Sequence, residues 1–270
     1  MKTEKPKSLE AFLEIFNTYS SSGYDYYRGQ SDAKWDIIPS IARNKKIFDY
    51  TLEVEQKLIS KFEEKVKQYE LNNLIPILKN SYHESWQILM AAQHYGLPTR
   101  FLDFTFNKYV ALEFAITDLQ HLDKDSSLII YKNADKNHVT DEGFLKEPFS
   151  ALDKSFFFQV LINKESEGND FKLSEIRKSI QGSKFFYRGT KNLFYCLSLD
   201  REHSCNLIKI DIAKKLKPII TDYFIKEKTM FFDSFREKNA IDYFAAILKN
   251  EFYKLNVSKI DEYLKSGNRL

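Results

Sequence analysis

Between residues 93 and 105 the chain packs polar side chains into one short stretch: Gln93-His94-Tyr95-Gly96-Leu97-Pro98-Thr99-Arg100-Phe101-Leu102-Asp103-Phe104-Thr105. Apolar helical periodicity flanks it on both sides, and few backbones accommodate that pattern. His83 to Tyr95 carries Trp86, Leu89 and Met90 at helical spacing; Gly96 can end that helix as a C-cap, and Pro98 fits just beyond it. Arg100 to Thr105 then reads as a short strand, with Arg100, Leu102 and Phe104 facing one way and Phe101, Asp103 and Thr105 the other. Asn107 is placed to cap a further helix bearing Val110, Ala111, Phe114 and Ala115.

The rest of the chain extends this reading. Ser8 can cap a helix with the stripe Leu9, Phe12, Leu13 and Phe16, which the run from Ser20 to Gly23 ends. Tyr24 to Tyr27 reads as a strand that delivers Arg28-Gly29-Gln30 at its C-terminal end. From Tyr50 to Leu71, Leu52, Glu55, Leu58, Ile59, Phe62, Val66 and Tyr69 recur as one face of a long helix. Ser127–Tyr131, Phe156–Ile162, Leu193–Leu199 and Asn206–Ile212 are candidate strands, so that residues 127–212 read as strand-rich. Asp135–Pro148 and Asn163–Ser174 read as polar connections or small helices. Ser234-Phe235-Arg236-Glu237 is a capping box opening a C-terminal helical segment over 234–265. Helices first and strands later predict an α+β fold rather than a βαβ repeat.

Composition bounds the function classes. At 270 residues with 23 Phe and 16 Tyr, the chain can bury a single core without metal or disulfides. A net charge of +3 implies no strong attraction to nucleic acid or membranes. Two cysteines without CxxC spacing fit a reducing compartment, and no stretch approaches the roughly 20 apolar residues of a membrane span. The N-terminus lacks an apolar signal region, so a cytoplasmic location is expected. The five histidines show no ligand spacing with one another or with cysteine, so no metal is expected. Cys205 reads as a core cysteine beside a loop histidine, His203. Lys214, Lys215 and Lys217 read as a solvated edge.

Two segments carry chemistry. A guanidinium at Arg28 can hold a phosphate or carboxylate by paired hydrogen bonds, Gly29 removes a Cβ that would keep a ligand or a backbone away, and Gln30 adds a donor and an acceptor. Asp103 can orient an arginine, either Arg28 or Arg100, and the helix after Asn107 offers N–H groups and a positive dipole end to an anion. The same residues also allow a turn fixed by an Arg–Asp pair. A second Tyr187-Arg188-Gly189 copies the first motif in three letters and is read as coincidence.

Together these blocks resemble the FRG domain, a family named for its aromatic-Arg-Gly motif. The resemblance rests on Tyr27-Arg28-Gly29-Gln30, Trp35, Pro39-Ser40-Ile41-Ala42-Arg43, the Gln93–Thr105 block and Ala111-Leu112-Glu113-Phe114-Ala115, and covers residues 8–117. Downstream the family's Gln-x-Gly-x-Phe strand has no clear counterpart. A looser resemblance is to arginine-type ADP-ribosyltransferases, which combine an aromatic-Arg-Gly strand with a strand ending in Ser or Thr and an Ala-x-x-Phe helix. It implies one domain over 1–270, with a helix-rich N-terminal half on a mixed, split β-sheet.

The same resemblance implies NAD as substrate. Arg28 would hold its pyrophosphate and Thr105 its ribose, with Tyr27, Gly29, Gln30, His94, Thr99, Arg100 and Asp103 around the site. Where those enzymes carry a late-strand glutamate, this chain has Thr190, Lys191 and Asn192; Glu113 and Glu202 are the substitutes it offers. The implied setting is a bacterial toxin or anti-phage effector that modifies RNA or protein and is silenced by an antitoxin. The competing expectation is a non-catalytic module that binds a nucleotide, nucleic acid or partner protein. A nuclease has less support, because no carboxylate cluster has metal-site spacing.

Overall fold

The computed structural model describes residues 1–20, 25–43, 52–70, 84–132, 148–149, 155–159, 183–188 and 195–227. The fold is α+β. Its described helices are α1 (Leu9–Tyr19), α2 (Leu52–Gln68), α3 (Glu84–His94), α4 (Lys108–Ile116) and α5 (Lys217–Lys226). The strands are β1 (Lys2–Glu4), β2 (Tyr26–Gln30), β3 (Leu102–Thr105), β4 (Ser126–Tyr131), β5 (Ser155–Gln159), β6 (Ser183–Arg188) and β7 (Leu207–Ile212).

Among the described residues these strands form one seven-stranded sheet in the order β1-β7-β4-β2-β3-β6-β5. Only the β1–β7 pair among them is parallel, so the sheet is mixed. Its weak point is in the middle. β2 pairs along its whole length with β4, from Tyr26↔Tyr131 to Gln30↔Ser127, but meets β3 through the single pair Tyr27↔Thr105. Beyond that pair the last residues of β2 have no ladder with β3, and the sheet divides into two leaves.

Alternation along the strands loads both faces. On one face Tyr27, Leu128, Ile130, Ile208, Ile210 and Ile212 pack with Phe12 and Phe16 of α1, Ala111, Leu112, Ala115 and Ile116 of α4, and Ile220 and Phe224 of α5. The other face buries Tyr26, Leu102, Phe104, Ile129, Tyr131 and Phe186 against Ile37, Tyr195 and Leu197. Next to β3 and β6, Phe101 stacks on Trp86 of α3 and packs on Phe185 and Tyr187.

Local signals set the helix ends. Ser8 accepts the N–H of Ala11, Asn107 accepts those of Tyr109 and Val110, and Gly96 takes φ +84° just past α3. The helices expected over 50–71 and 83–95 form as α2 and α3 among the described residues.

Several expectations are corrected. Arg28, Gly29 and Gln30 lie inside β2 rather than after it, because β4 pairs through to Gln30. Residues 197–199 form a turn instead of a strand, and Leu199 is 81% exposed. Of the seven described strands, β4 to β7 fall in the stretch read as strand-rich and β1 to β3 precede it. Charged β1, β6 and helix α5 form where no element was expected. Lys217 is no solvated edge: it is buried, and its ammonium donates to the carbonyls of Ser31 and His121. Cys205 is exposed rather than core, whereas His203 is buried with Nδ1 2.8 Å from the Tyr131 hydroxyl. Residues 135–147 of the polar connection read over Asp135–Pro148, Asn163–Ser174 and the helical segment 234–265 lie outside the described residues. No described helix is long and apolar enough to cross a membrane.

Candidate active site

The division of the sheet opens a pocket of about 290 Å³ between β2, β3 and α4. Tyr27, Arg28 and Gly29 of β2, Asp103, Phe104 and Thr105 of β3, and Val110, Ala111 and Phe114 of α4 line it, with Gln93 from α3 and Phe185 from β6. Its size sits at the low end for small-molecule sites.

Gly29 explains how α4 comes so close. A Cβ there would stand 2.0 Å from the carbonyl oxygen of Ala111 and 2.7 Å from the amide nitrogen of Ala115. The glycine therefore admits a helix backbone, one of the two roles its position allowed.

Arg28 shares a strand face with Tyr26 and Gln30 in β2, and its side chain reaches across the gap to β3. There Nη1 donates to the main-chain carbonyl of Asp103 at 2.7 Å. The residue is half-buried, and its Nε is buried with no hydrogen-bond partner. Burial first, and then the positive charge of Arg43, pull its pKa down to about 10, against the attraction of Asp103. The guanidinium stays charged at neutral pH. The unmet donor and the desolvated positive charge favour an acceptor that carries negative charge.

The carboxylate of Asp103 is held from α3. Nε2 of Gln93 donates to Oδ1 at 2.8 Å and to Oδ2 at 2.7 Å. The orientation of that amide is fixed from behind, because its Oε1 accepts the hydroxyl proton of Thr99. Thr99 in turn is tied at its backbone, its N–H donating to Ser40 Oγ at 3.0 Å. Asp103 is accessible from the pocket, yet the protein around it pushes its carboxyl above the usual aspartate range, opposed by Arg28, Gln93 and Arg43.

Other residues singled out in the sequence have different places. Thr105 lines the pocket while its Oγ accepts the Asn107 N–H at 2.9 Å, shaping the turn into α4. The N-terminus of α4 is already engaged by Asn107, so it is not an open anion site. Gln30 is buried and donates to the Asp36 carbonyl. Arg100 is fully buried and paired at 2.5 Å with Glu55 of α2, away from the pocket lining. Asp103 thus orients Arg28, through its carbonyl, and not Arg100. Glu113 is buried on α4 and is not among the described lining residues. His94 ends α3; its side chain is outside the described residues.

Gln93, Phe114 and Phe185 line the pocket although none was named as a site residue from the sequence, and Arg43 adds to the field at Arg28. Gln93 opens the polar block and Arg43 closes the Pro39–Arg43 motif, so both were within reach; Phe185 lies on a strand that was not foreseen. Away from the pocket, ligand-type atoms of Asp200, Glu202 and His203 lie within 4.8 Å of one another, a grouping that spacing alone did not reveal.

The family model of the FRG domain matches residues 24–124, from the start of β2 to just past α4. The chain carries an FRG domain. No curated protein and no solved structure matches it. Every described lining residue of the pocket except Phe185 falls within the FRG domain, so the pocket is a feature of the domain's own elements. In the FRG motif of this chain the aromatic Tyr27 fills the core, the arginine serves the pocket and the glycine receives α4.

Proposed function

We propose that the pocket binds NAD by its phosphates and that the chain transfers ADP-ribose from NAD to a macromolecule. The observation that carries this reading is Arg28: a half-buried guanidinium in the gap of the sheet, with a buried, unpartnered Nε and Arg43 close enough to add to its field. A pyrophosphate supplies the missing acceptors and neutralises both charges. Phe114 and Phe185 offer apolar walls for a heterocyclic ring, and Thr105 lines the pocket on the same strand as Asp103.

The transfer has two requirements. The C1′–N bond to nicotinamide must weaken as positive charge builds on the ribose, and the acceptor must lose a proton. A pocket lined by an arginine, a hydroxyl and a carboxylate has parts for each.

Expression of the wild-type chain and of Arg28→Ala in bacterial cells tests the reading, with labelled NAD added to the lysates. Growth arrest and labelled macromolecules with wild type, both lost in a folded Arg28→Ala, are expected. NAD binding without any transfer would instead make the domain a non-catalytic nucleotide reader.

A further inference from the structure

Among the described residues that line the pocket, Asp103 is the only carboxylate. The sequence offered Glu113 and Glu202 in place of a missing late-strand glutamate. Glu113 does not line the pocket, and Glu202 is an exposed residue in the turn after residue 200, with its N–H bonded to Asp200.

We infer that Asp103 is the catalytic carboxylate of this pocket, facing the ribose carbon at which NAD is cleaved and taking the proton of the attacking group. The inference rests on the NAD reading above. Three features of the geometry carry it. Arg28 bonds the Asp103 carbonyl, which leaves the carboxylate to other partners. Gln93 reaches both carboxylate oxygens from one side, at 2.8 and 2.7 Å, with its amide orientation set by Thr99. A carboxylate has about four lone-pair directions, so acceptor capacity remains on the side facing the pocket. Thr105 lies two residues along the same strand face, and Arg28 marks where the phosphates sit, so a ribose between them has its C1′ beside Asp103.

The step balances with water as the simplest acceptor. The bond from C1′ to the nicotinamide nitrogen breaks and its electron pair stays on nicotinamide, which leaves neutral. Negative charge on Asp103 stabilises the oxocarbenium-like ribose as that bond lengthens. The water oxygen bonds to C1′ and its proton passes to an Asp103 oxygen, then to solvent. A carboxyl held above the usual aspartate range is better matched to that proton than an ordinary one.

The test measures nicotinamide release from NAD by the full chain, with NAD affinity followed separately by calorimetry, for wild type, Asp103→Asn and Asp103→Glu. Asp103→Asn is expected to bind NAD as wild type does while releasing nicotinamide about 10²–10⁴-fold more slowly. Asp103→Glu should recover part of the rate. The wild-type rate should rise with pH through the Asp103 ionisation and then level, a limb that Asp103→Asn lacks. Undiminished release by Asp103→Asn overturns the inference while leaving NAD as the substrate. No release and no NAD binding by wild type overturns the NAD reading and this inference together.

Discussion

Gly29 lies directly beneath the main chain of Ala111, and a β-carbon on it would meet that carbonyl oxygen at 2.0 Å. The most conspicuous glycine of the chain is thus a packing residue, and the arginine beside it keeps its place because α4 can settle onto β2. Gly29→Ala should destabilise the fold by about 3 kcal/mol or more, since the clash is with backbone that cannot rotate away. Thermal melting reads this directly, and a melting temperature equal to wild type would refute the packing role.

Arg100 and Glu55 form a fully buried ion pair between the start of β3 and α2, with Glu55 also accepting the Arg100 N–H at 2.8 Å. Removing one charge leaves the other stranded in the core. Glu55→Gln is expected to cost about 3–5 kcal/mol in denaturant unfolding, a loss larger than any surface pair would give.

Lys217 is the second buried cation with a structural task, joining α5 to the carbonyls of Ser31 at 3.3 Å and His121 at 2.8 Å. Lys217→Met keeps the length of the side chain and removes both bonds. The expected cost is about 1–3 kcal/mol, measured by chemical denaturation.

The raised pKa of Asp103 has a consequence for stability. The folded chain holds the proton more tightly than the unfolded one, so stability falls as pH rises from the ordinary aspartate value through the raised one. At neutral pH the charge on Asp103 opposes folding. Asp103→Asn should therefore melt higher than wild type at neutral pH, with the difference closing at about pH 3, where both states of the wild type carry the proton. A melting series across that range checks the sign.

Gln93→Glu probes the support of the same carboxylate. It would set a second negative charge where Nε2 now donates at 2.7 Å, raising the pKa of Asp103 further. The acidic limb of NAD cleavage should move to higher pH while its plateau persists. An unmoved limb would separate Asp103 from the rate.

The features legible in the sequence are those decided within a few residues. Ser8, Asn107 and Gly96 act on backbone groups next to them, and each cap forms as read. Glu55 sat visibly on an otherwise apolar stripe, but its partner lies 45 residues away, and only the fold brings Arg100 to it. The end of β2 was misplaced for the same reason: whether Gln30 belongs to a strand is settled by Ser127 on β4. β1 has no apolar alternation of its own and exists because β7 offers it an edge. Of the site, Arg28 and Asp103 were legible as a pair of segments. The gap that lets them meet was not, because it depends on how far two strands stay paired.

The most direct measurement is a calorimetric titration of the full chain with NAD, wild type against Arg28→Gln, with the melting temperature of each variant recorded. Saturable NAD binding by wild type, lost in an equally stable Arg28→Gln, is what the account predicts. Equal binding by both variants, or no binding by wild type, would contradict it.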